Sequence, residues 1–250
     1  MAMSPYLWTL PFTTMIPETC FVLDDGSAEA TPTSATTSSS GDVAAASGTP
    51  ADLDLAGALP RGRAVGYVIG CPSAWALAAP ETYDLKYVRP VLQAGQGRED
   101  VPDPGREGLV EKDGWFVPGT ERQPGVPDSA DVNPRALAQL AYRGDWLLLG
   151  SDAVRETVAT KWRGTMHIDL LKPWQRAGWG PRMIGIFVDE LKGRRERARE
   201  DEDGDDDQDC GEGFFIGIAA ENERVIKFYE KCGFRLLKDA GEGIFMVKDV

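Results

Sequence analysis

The clearest hydrophobic pattern in the chain lies at Met183, Ile184, Phe187, Val188 and Leu191. These positions share one face of a 3.6-residue period, which predicts a helix packed on a sheet. An apolar-rich strand at 165–171 runs towards that helix, and a strongly apolar strand at 213–219 follows it. Strand, helix and strand in that order predict a parallel crossover. Apolar runs at 19–23 and 63–70 predict two more strands, paired as a hairpin across the segment between them. Residues 234–237 and 244–247 predict a closing antiparallel pair, separated by Gly241-Glu242-Gly243. The expected class is therefore α/β (α+β), with a mixed sheet flanked by helices.

Other stretches fit around this frame. Residues 6–12 read as an ordered entry. A helical stretch at 75–93 offers Trp75, Tyr83, Tyr87 and Val88 as a buried face, and a second helix is expected over 134–148. Residues 152–161 connect it to the central strand. Val225, Ile226, Tyr229 and Cys232 share a further helical face, with Asn222 as its N-cap and Gly233 as its C-terminal stop. Residues 27–50 are rich in Ala, Ser, Thr and Gly, too little apolar surface to offset the entropy of ordering. Residues 94–130 are full of Gly, Pro and charge, and the long helix is expected to dissolve at Gly193 into an acidic run. The chain thus reads as one domain with disordered or loop insertions at 26–60, 94–130 and 195–212.

Charge sharpens this picture. The net charge of −13 over 250 residues is uneven. Residues 1–60 hold seven acids and no base, and residues 195–212 hold ten acids against three arginines. The acidity therefore sits in expected loops, where a like-charge block is ordinarily a solvated surface. Such a balance argues against binding a phosphate backbone. It leans slightly towards a cationic partner. Cysteines at 20, 71, 210 and 232 have no Cys-x-x-Cys spacing, and His167 is the one histidine, so neither a zinc site nor a disulfide framework is expected. The first basic residue is Arg61, too late for a secretory signal or a mitochondrial presequence. With no apolar run long enough to span a bilayer, the expectation is an intracellular soluble protein, cytoplasmic or nuclear.

The chemistry concentrates where the central strand meets the long helix. The turn Gln175-Arg176-Ala177-Gly178-Trp179-Gly180 precedes Pro181, and glycine lets main chain approach a ligand closely. Pro181 suits a first helical position. Main-chain N–H groups converging at a helix N-terminus form an anion site. This stretch resembles the acyl-CoA signature of the GNAT N-acetyltransferase superfamily, Gln/Arg-x-x-Gly-x-Gly/Ala. A second stretch, Asn222-Glu-Arg-Val-Ile-Lys-Phe228-Tyr229-Glu-Lys-Cys-Gly233-Phe234, resembles that family's C-terminal pattern, with Val225 in place of the usual Ala. Gly62-Arg-Ala-Val-Gly-Tyr67 is similar to a third-strand pattern of the family. His167-Ile-Asp169-Leu-Leu, with Tyr6-Leu-Trp8 and Cys20-Phe-Val-Leu, resembles bacterial and fungal acetyltransferases related to the C-terminal domain of O-GlcNAcase. There Pro-Glu-Tyr-Gln usually ends the strand, where this chain has Lys172-Pro-Trp-Gln175.

The resemblance implies a GNAT fold, mostly antiparallel with a splayed parallel central pair, and direct acetyl transfer from acetyl-CoA to an amine. The acceptor class stays open among small amines, amino sugars and protein lysines. It implies that Gln175, Arg176, Ala177, Gly178, Trp179, Gly180, Pro181 and Arg182 hold the cofactor's phosphates. Leu170 and Leu171 would pair with its pantetheine arm, with Asn222, Phe228 and Tyr229 completing the site. No metal is implied, and pairing into a homodimer is open. Tyr229 matches the tyrosine that protonates the leaving sulfur; the alternative is a packed aromatic. His167 is a candidate general base, and Asp169 a candidate base or amine ligand; the alternative for both is a buried structural role. Both lie on one side of the strand. Other branches of the family place the base at positions matching 164 or 166, on the opposite side, unless a bulge intervenes. Arg176 and Arg182 either meet phosphates or face solvent, and Trp174 and Trp179 either cover the cofactor or pack. A catalytically degenerate interaction module with the same fold is the second reading. A dinucleotide fold is disfavoured, because Met183 stands where that fingerprint needs its third glycine.

Overall fold

The computed structural model describes residues 3–26, 62–95, 97–117, 131–150, 154–200, 209–237 and 244–250. Six strands form one sheet: β1 (Phe21–Asp24), β2 (Ala64–Cys71), β3 (Gly164–Leu170), β4 (Gly213–Ile218), β5 (Arg235–Leu237) and β6 (Ile244–Asp249), in the order β1-β2-β3-β4-β6-β5. Every neighbouring pair is antiparallel except β3 with β4. The parallel register covers only Gly164↔Phe214 and Thr165↔Phe215, although both strands run on. The two strands therefore part beyond Thr165 and open a gap in the middle of the sheet.

Nine helices surround the sheet: α1 (Ser4–Trp8), α2 (Leu10–Met15), α3 (Ala74–Ala78), α4 (Pro80–Tyr83), α5 (Gly97–Asp100), α6 (Pro134–Tyr142), α7 (Gly144–Leu148), α8 (Trp179–Glu200) and α9 (Ile226–Lys231), counted among the described residues and leaving aside 3-10 and π turns. The strand period of two sorts side chains between the faces. Val68, Met166, Phe214, Ile216 and Met246 pack against Met183, Ile184, Phe187 and Leu191 of α8. Ile69, Cys71, Phe215 and Val247 face the other way, towards Phe12, Ala74, Leu77 and Leu149. A third cluster joins Tyr6, Leu7, Tyr83, Tyr87, Leu92 and Leu140, away from the strands.

The strand and crossover expectations hold, and so does the hairpin of β1 with β2. Several finer expectations do not. Trp75 is 41% exposed while Tyr83, Tyr87 and Val88 are buried, because the stretch breaks at Ala79 and continues as a π-helical segment that turns a different face inward. The helix over 134–148 is interrupted at Arg143, whose extended backbone is held by its own pair with Asp145 at 2.7 Å. The long helix does not dissolve at Gly193: α8 continues to Glu200, with Glu190 accepting from Arg194 and Arg197. Within 94–130, the fully buried Gln139 fastens the loop to α6 through Gly108, Glu111 and Asp113. The insertion at 27–50, most of the acidic run and Gly241–Gly243 lie outside the described residues. No helix among the described residues is long and apolar enough to cross a membrane.

Candidate functional site

The turn after β3 is exposed from Gln175 to Gly178. Gly178 has φ +82°, a region glycine enters at no steric cost, and Arg176 is the one non-glycine at positive φ among the described residues, at 64°. Nothing lies within 4 Å of the point a Gly178 side chain would occupy, so the space before the turn is open. Helix α8 begins at Trp179, two residues earlier than the position of Pro181 suggested. Pro181 is thus the third helical residue, still ahead of any need for its N–H. The N–H groups of Gly178, Trp179 and Gly180 precede the first intrahelical bond. The first turn of α8 carries no acid, so nothing offsets its positive end. Arg182 lies with its guanidinium 5.2 Å over the Trp179 ring, and Trp174 stands 6.4 Å from Trp179. Arg176, Ala177, Pro181 and Arg182 are all exposed at this rim.

Gly180 is buried and is not left-handed. Its smallness has a packing cause: an added Cβ would meet Phe228 Cζ at 2.8 Å and Cε2 at 3.0 Å. The start of α8 thus rests directly on α9. Phe228 continues a run of edge-on rings, with Tyr229 at 5.0 Å, Phe234 a further 5.2 Å on, and Phe214 and Phe187 beyond. Tyr229 is held between Phe228 and Phe234. Its pKa is pushed up to about 12, first by burial, then by Cys232 and by Asp169. Gly233, at φ +86°, ends α9, with its own N–H donating to Glu230 and the next N–H, of Phe234, to Tyr229.

Main-chain polarity along β3 follows from the register. The Leu171 N–H donates to Val65 O, 2.9 Å, which fixes the phase of the ladder with β2. Residues 165, 167, 169 and 171 direct main-chain groups to β2, whereas Ile168 and Leu170 direct theirs into the gap beside β4. At Leu170 both groups meet side chains. Its N–H donates to Asp169 Oδ1, 2.8 Å, and its carbonyl accepts from Gln175 Nε2, 2.8 Å. The Leu171 carbonyl accepts from Trp174 N–H. Leu171 thus turns its N–H to β2 and its carbonyl to Trp174. Leu170 faces the gap through bonds that a ligand amide can replace.

His167 and Asp169 project from the face of β3 opposite α8, since Met166, Ile168 and Leu170 join the α8 core. The register from Gly66↔Leu170 to Cys71↔Thr165 runs without a shift, so no bulge brings these residues to the other face. Tyr67 opposes Asp169 across the ladder. The His167 ring stacks at 6.1 Å on Trp8 and lies 5.9 Å from Tyr67. His167 is exposed, and the protein packed around its ring desolvates it enough to lower its pKa, against a smaller upward pull from Asp169. Tyr67 is raised by burial and then by Asp169, while a hydrogen bond with Thr9 acts in the other direction. The negative charge of Asp169 thus reaches His167, Tyr67 and Tyr229 together. Tyr229 comes from the α8–α9 side of the sheet and His167 and Asp169 from the other side.

Some assignments change. Asn222 caps nothing: it lies with φ −103° inside a 3-10 segment, exposed, ahead of an α9 whose start has no side-chain cap. Trp8, Thr9 and Tyr67 join the site without having been singled out for it. Strand parity against Asp169 offers a signal for Tyr67; Trp8 arrives through tertiary packing alone. All four thiols are free, and the one beside Tyr229, Cys232, has its pKa raised by burial, so no ready thiolate stands there. Among the described residues no cluster of His, Cys, Asp or Glu could hold a metal.

No protein-family model matches the chain, and no curated protein does. Among solved structures, the chain is similar to one described as "Crystal structure of SsHAT", with a TM-score of 0.55 and 20% identity. That match covers 99% of this chain and 80% of the other. The likeness is one of fold. It is shared architecture: a mixed sheet flanked by helices.

Proposed function

We infer that the chain is a single GNAT-type domain and an acetyl-CoA-dependent N-acetyltransferase, moving acetyl directly to an amine within a ternary complex. One observation carries this: the parallel pair opens a gap that ends at an acid-free helix start, with a phenol on one side of the sheet and an imidazole and carboxylate on the other. The fold shared with the structure titled "Crystal structure of SsHAT" accords with this reading.

The residues present fit the co-substrate. The Gly178–Gly180 N–H groups, with Arg176 and Arg182 beside them, suit a pyrophosphate. Gly178 leaves the approach open. Leu170 N–H and carbonyl suit the amides of a pantetheine arm. When bound, acetyl-CoA supplies an activated thioester carbonyl. Tyr229 keeps its proton at neutral pH and can give it to a departing thiolate. His167, its pKa lowered, is neutral at pH 7 and can take a proton from the incoming amine, directly or through water. Asp169 orients the amine. The absence of an activated thiol at Tyr229 favours direct transfer over an acetyl-enzyme.

Calorimetry with acetyl-CoA tests the reading. The intact protein is expected to bind in the micromolar range. Gly178→Trp, which puts a large side chain at the mouth of the turn and strains its left-handed backbone, is expected to lose binding while remaining folded. Absence of binding by folded wild type overturns the reading and leaves an interaction module with an acetyltransferase fold.

A further inference from the structure

The geometry points to an aliphatic primary ammonium, with neither carboxylate nor ring hydroxyls beside it, as the acceptor taken between Trp8, Tyr67, His167 and Asp169. This rests on the transferase reading and names the chemistry of its second substrate.

Asp169 is exposed, and no Lys or Arg pairs with it among the described residues. In the unliganded protein one of its oxygens accepts from Leu170 N–H, 2.8 Å; a ligand carbonyl that takes over this N–H frees the oxygen for the amine. Beside it stand three rings: Tyr67 opposite on β2, His167 on the same face of β3, and Trp8 stacked on His167. A carboxylate flanked by aromatic faces attracts a cation through both charge and ring quadrupole. The ring edges and faces suit the methylene stem that carries such an ammonium.

Other acceptor classes fit less well. A sugar needs several hydroxyl partners. Here the side-chain polar groups are one carboxyl, one imidazole, one indole N–H and one phenol, and that phenol, of Tyr67, already meets Thr9. An α-amino acid brings its own carboxylate against Asp169, a like-charge contact. The net charge of −13 also raises the local concentration of cations around the molecule. A lysine side chain and a free diamine share the favoured chemistry, so both belong in the test.

His167 is the one histidine of the chain, so its ring proton is a single, unambiguous NMR probe within the proposed subsite. Titration with cadaverine and with Nα-acetyl-lysine methylamide is expected to move that resonance saturably, with no acetyl-CoA present. Glycine and glucosamine are expected to leave it in place. Asp169→Asn keeps an acceptor for Leu170 N–H and removes the charge; it should abolish the shift. In transfer assays followed by thiol release, that variant should raise the amine KM about tenfold or more, with the acetyl-CoA Kd unchanged. Trp8→Leu should raise the amine KM about threefold or more, and Trp8→Phe should restore most of it. Saturable binding of only one amine, cadaverine or the lysine derivative, assigns the source and supports the subsite. A silent resonance with both amines, an unaltered amine KM in Asp169→Asn, or preference for glucosamine or glycine overturns it. Amine binding without acetyl-CoA binding keeps the subsite and overturns only the transferase reading. Acetyl transfer to the disfavoured classes keeps the transferase and overturns the subsite.

Discussion

Replacing Gly180 by Ala separates a packing role from a conformational one. Gly180 sits in the first turn of α8 without a left-handed backbone, so Ala is conformationally welcome there. Helix propensity alone would make Ala better by about 0.5–1 kcal/mol. Against this, the new Cβ falls 2.8 Å and 3.0 Å from two ring carbons of Phe228. An ordinary contact begins near 3.4 Å, so the ring must retreat by about half an ångström. Overpacking of that kind costs about 1–3 kcal/mol. The net expectation is a loss of about 0.5–2 kcal/mol. At about 2–4 °C per kcal/mol for a chain of this size, the melting temperature should fall by a few degrees. The sharper test is the sign. In a Phe228→Leu background the ring is gone, and the same Gly180→Ala change should become neutral or stabilising. Thermal melts of the wild type, the two single variants and the double variant give the coupling directly. If Gly180→Ala costs the same in both backgrounds, the contact with Phe228 does not explain the glycine.

Three further expectations follow from the site. Tyr229→Phe should lower kcat about a hundredfold with little change in acetyl-CoA binding; because the phenol holds its proton to about 12, no alkaline loss of activity below about pH 10 should trace to it. The His167 NMR titration should have its midpoint below the usual value of about 6.5. Folding then expels a proton from this ring, so wild type should lose stability relative to His167→Gln as pH falls below about 6.5, with the difference between them constant above it; an opposite slope would refute the lowered pKa. Asn222→Ala should leave the melt within about 0.5 kcal/mol of wild type, where loss of a real cap would cost about 1 kcal/mol.

The strands, the crossover and the buried face of α8 were legible in the sequence because each is a local period imposed by one dominant partner. Met183, Ile184, Phe187, Val188 and Leu191 all pack inward, since a helix on a sheet has only one way to hide them. Helix boundaries were less legible. Gly193 and Asn222 carry residue-type signals for a helix end and a helix start, and tertiary context overrode both: Glu190 ties two arginines beyond Gly193, and the chain enters α9 through a 3-10 segment instead of a capped turn. The turn after β3 was visible as a pattern, but the reason for each glycine was not. Gly178 answers to a backbone angle and Gly180 to a ring from a helix some fifty residues away. Which main-chain groups face the gap depends on the β2–β3 register, so the distinction between Leu170 and Leu171 could not be drawn before that register was seen. Trp8 stands in a stretch that carried a resemblance, but nothing local tied it to His167.

On the transferase reading, the contact between Gly180 and Phe228 also bears on why two sequence patterns serve one chemistry. The first places N–H groups at the start of α8; the second places a phenol on α9. Neither position is useful unless the two helices hold a fixed relation. That relation is set by a ring pressed against a residue with no side chain, and carried into the core by edge-on contacts through Tyr229, Phe234, Phe214 and Phe187. Tyr229 is inside this run, not at its end. A shift at Phe228 therefore moves the phenol as well as the helix start. The same Gly180→Ala variant should lower kcat along with stability, and Phe228→Leu should not rescue both: it relieves the clash but removes one of the rings that orient Tyr229. Stability restored without activity in the double variant would locate the catalytic demand in the orientation of Tyr229. Recovery of both together would mean that Phe228 serves only to fill space.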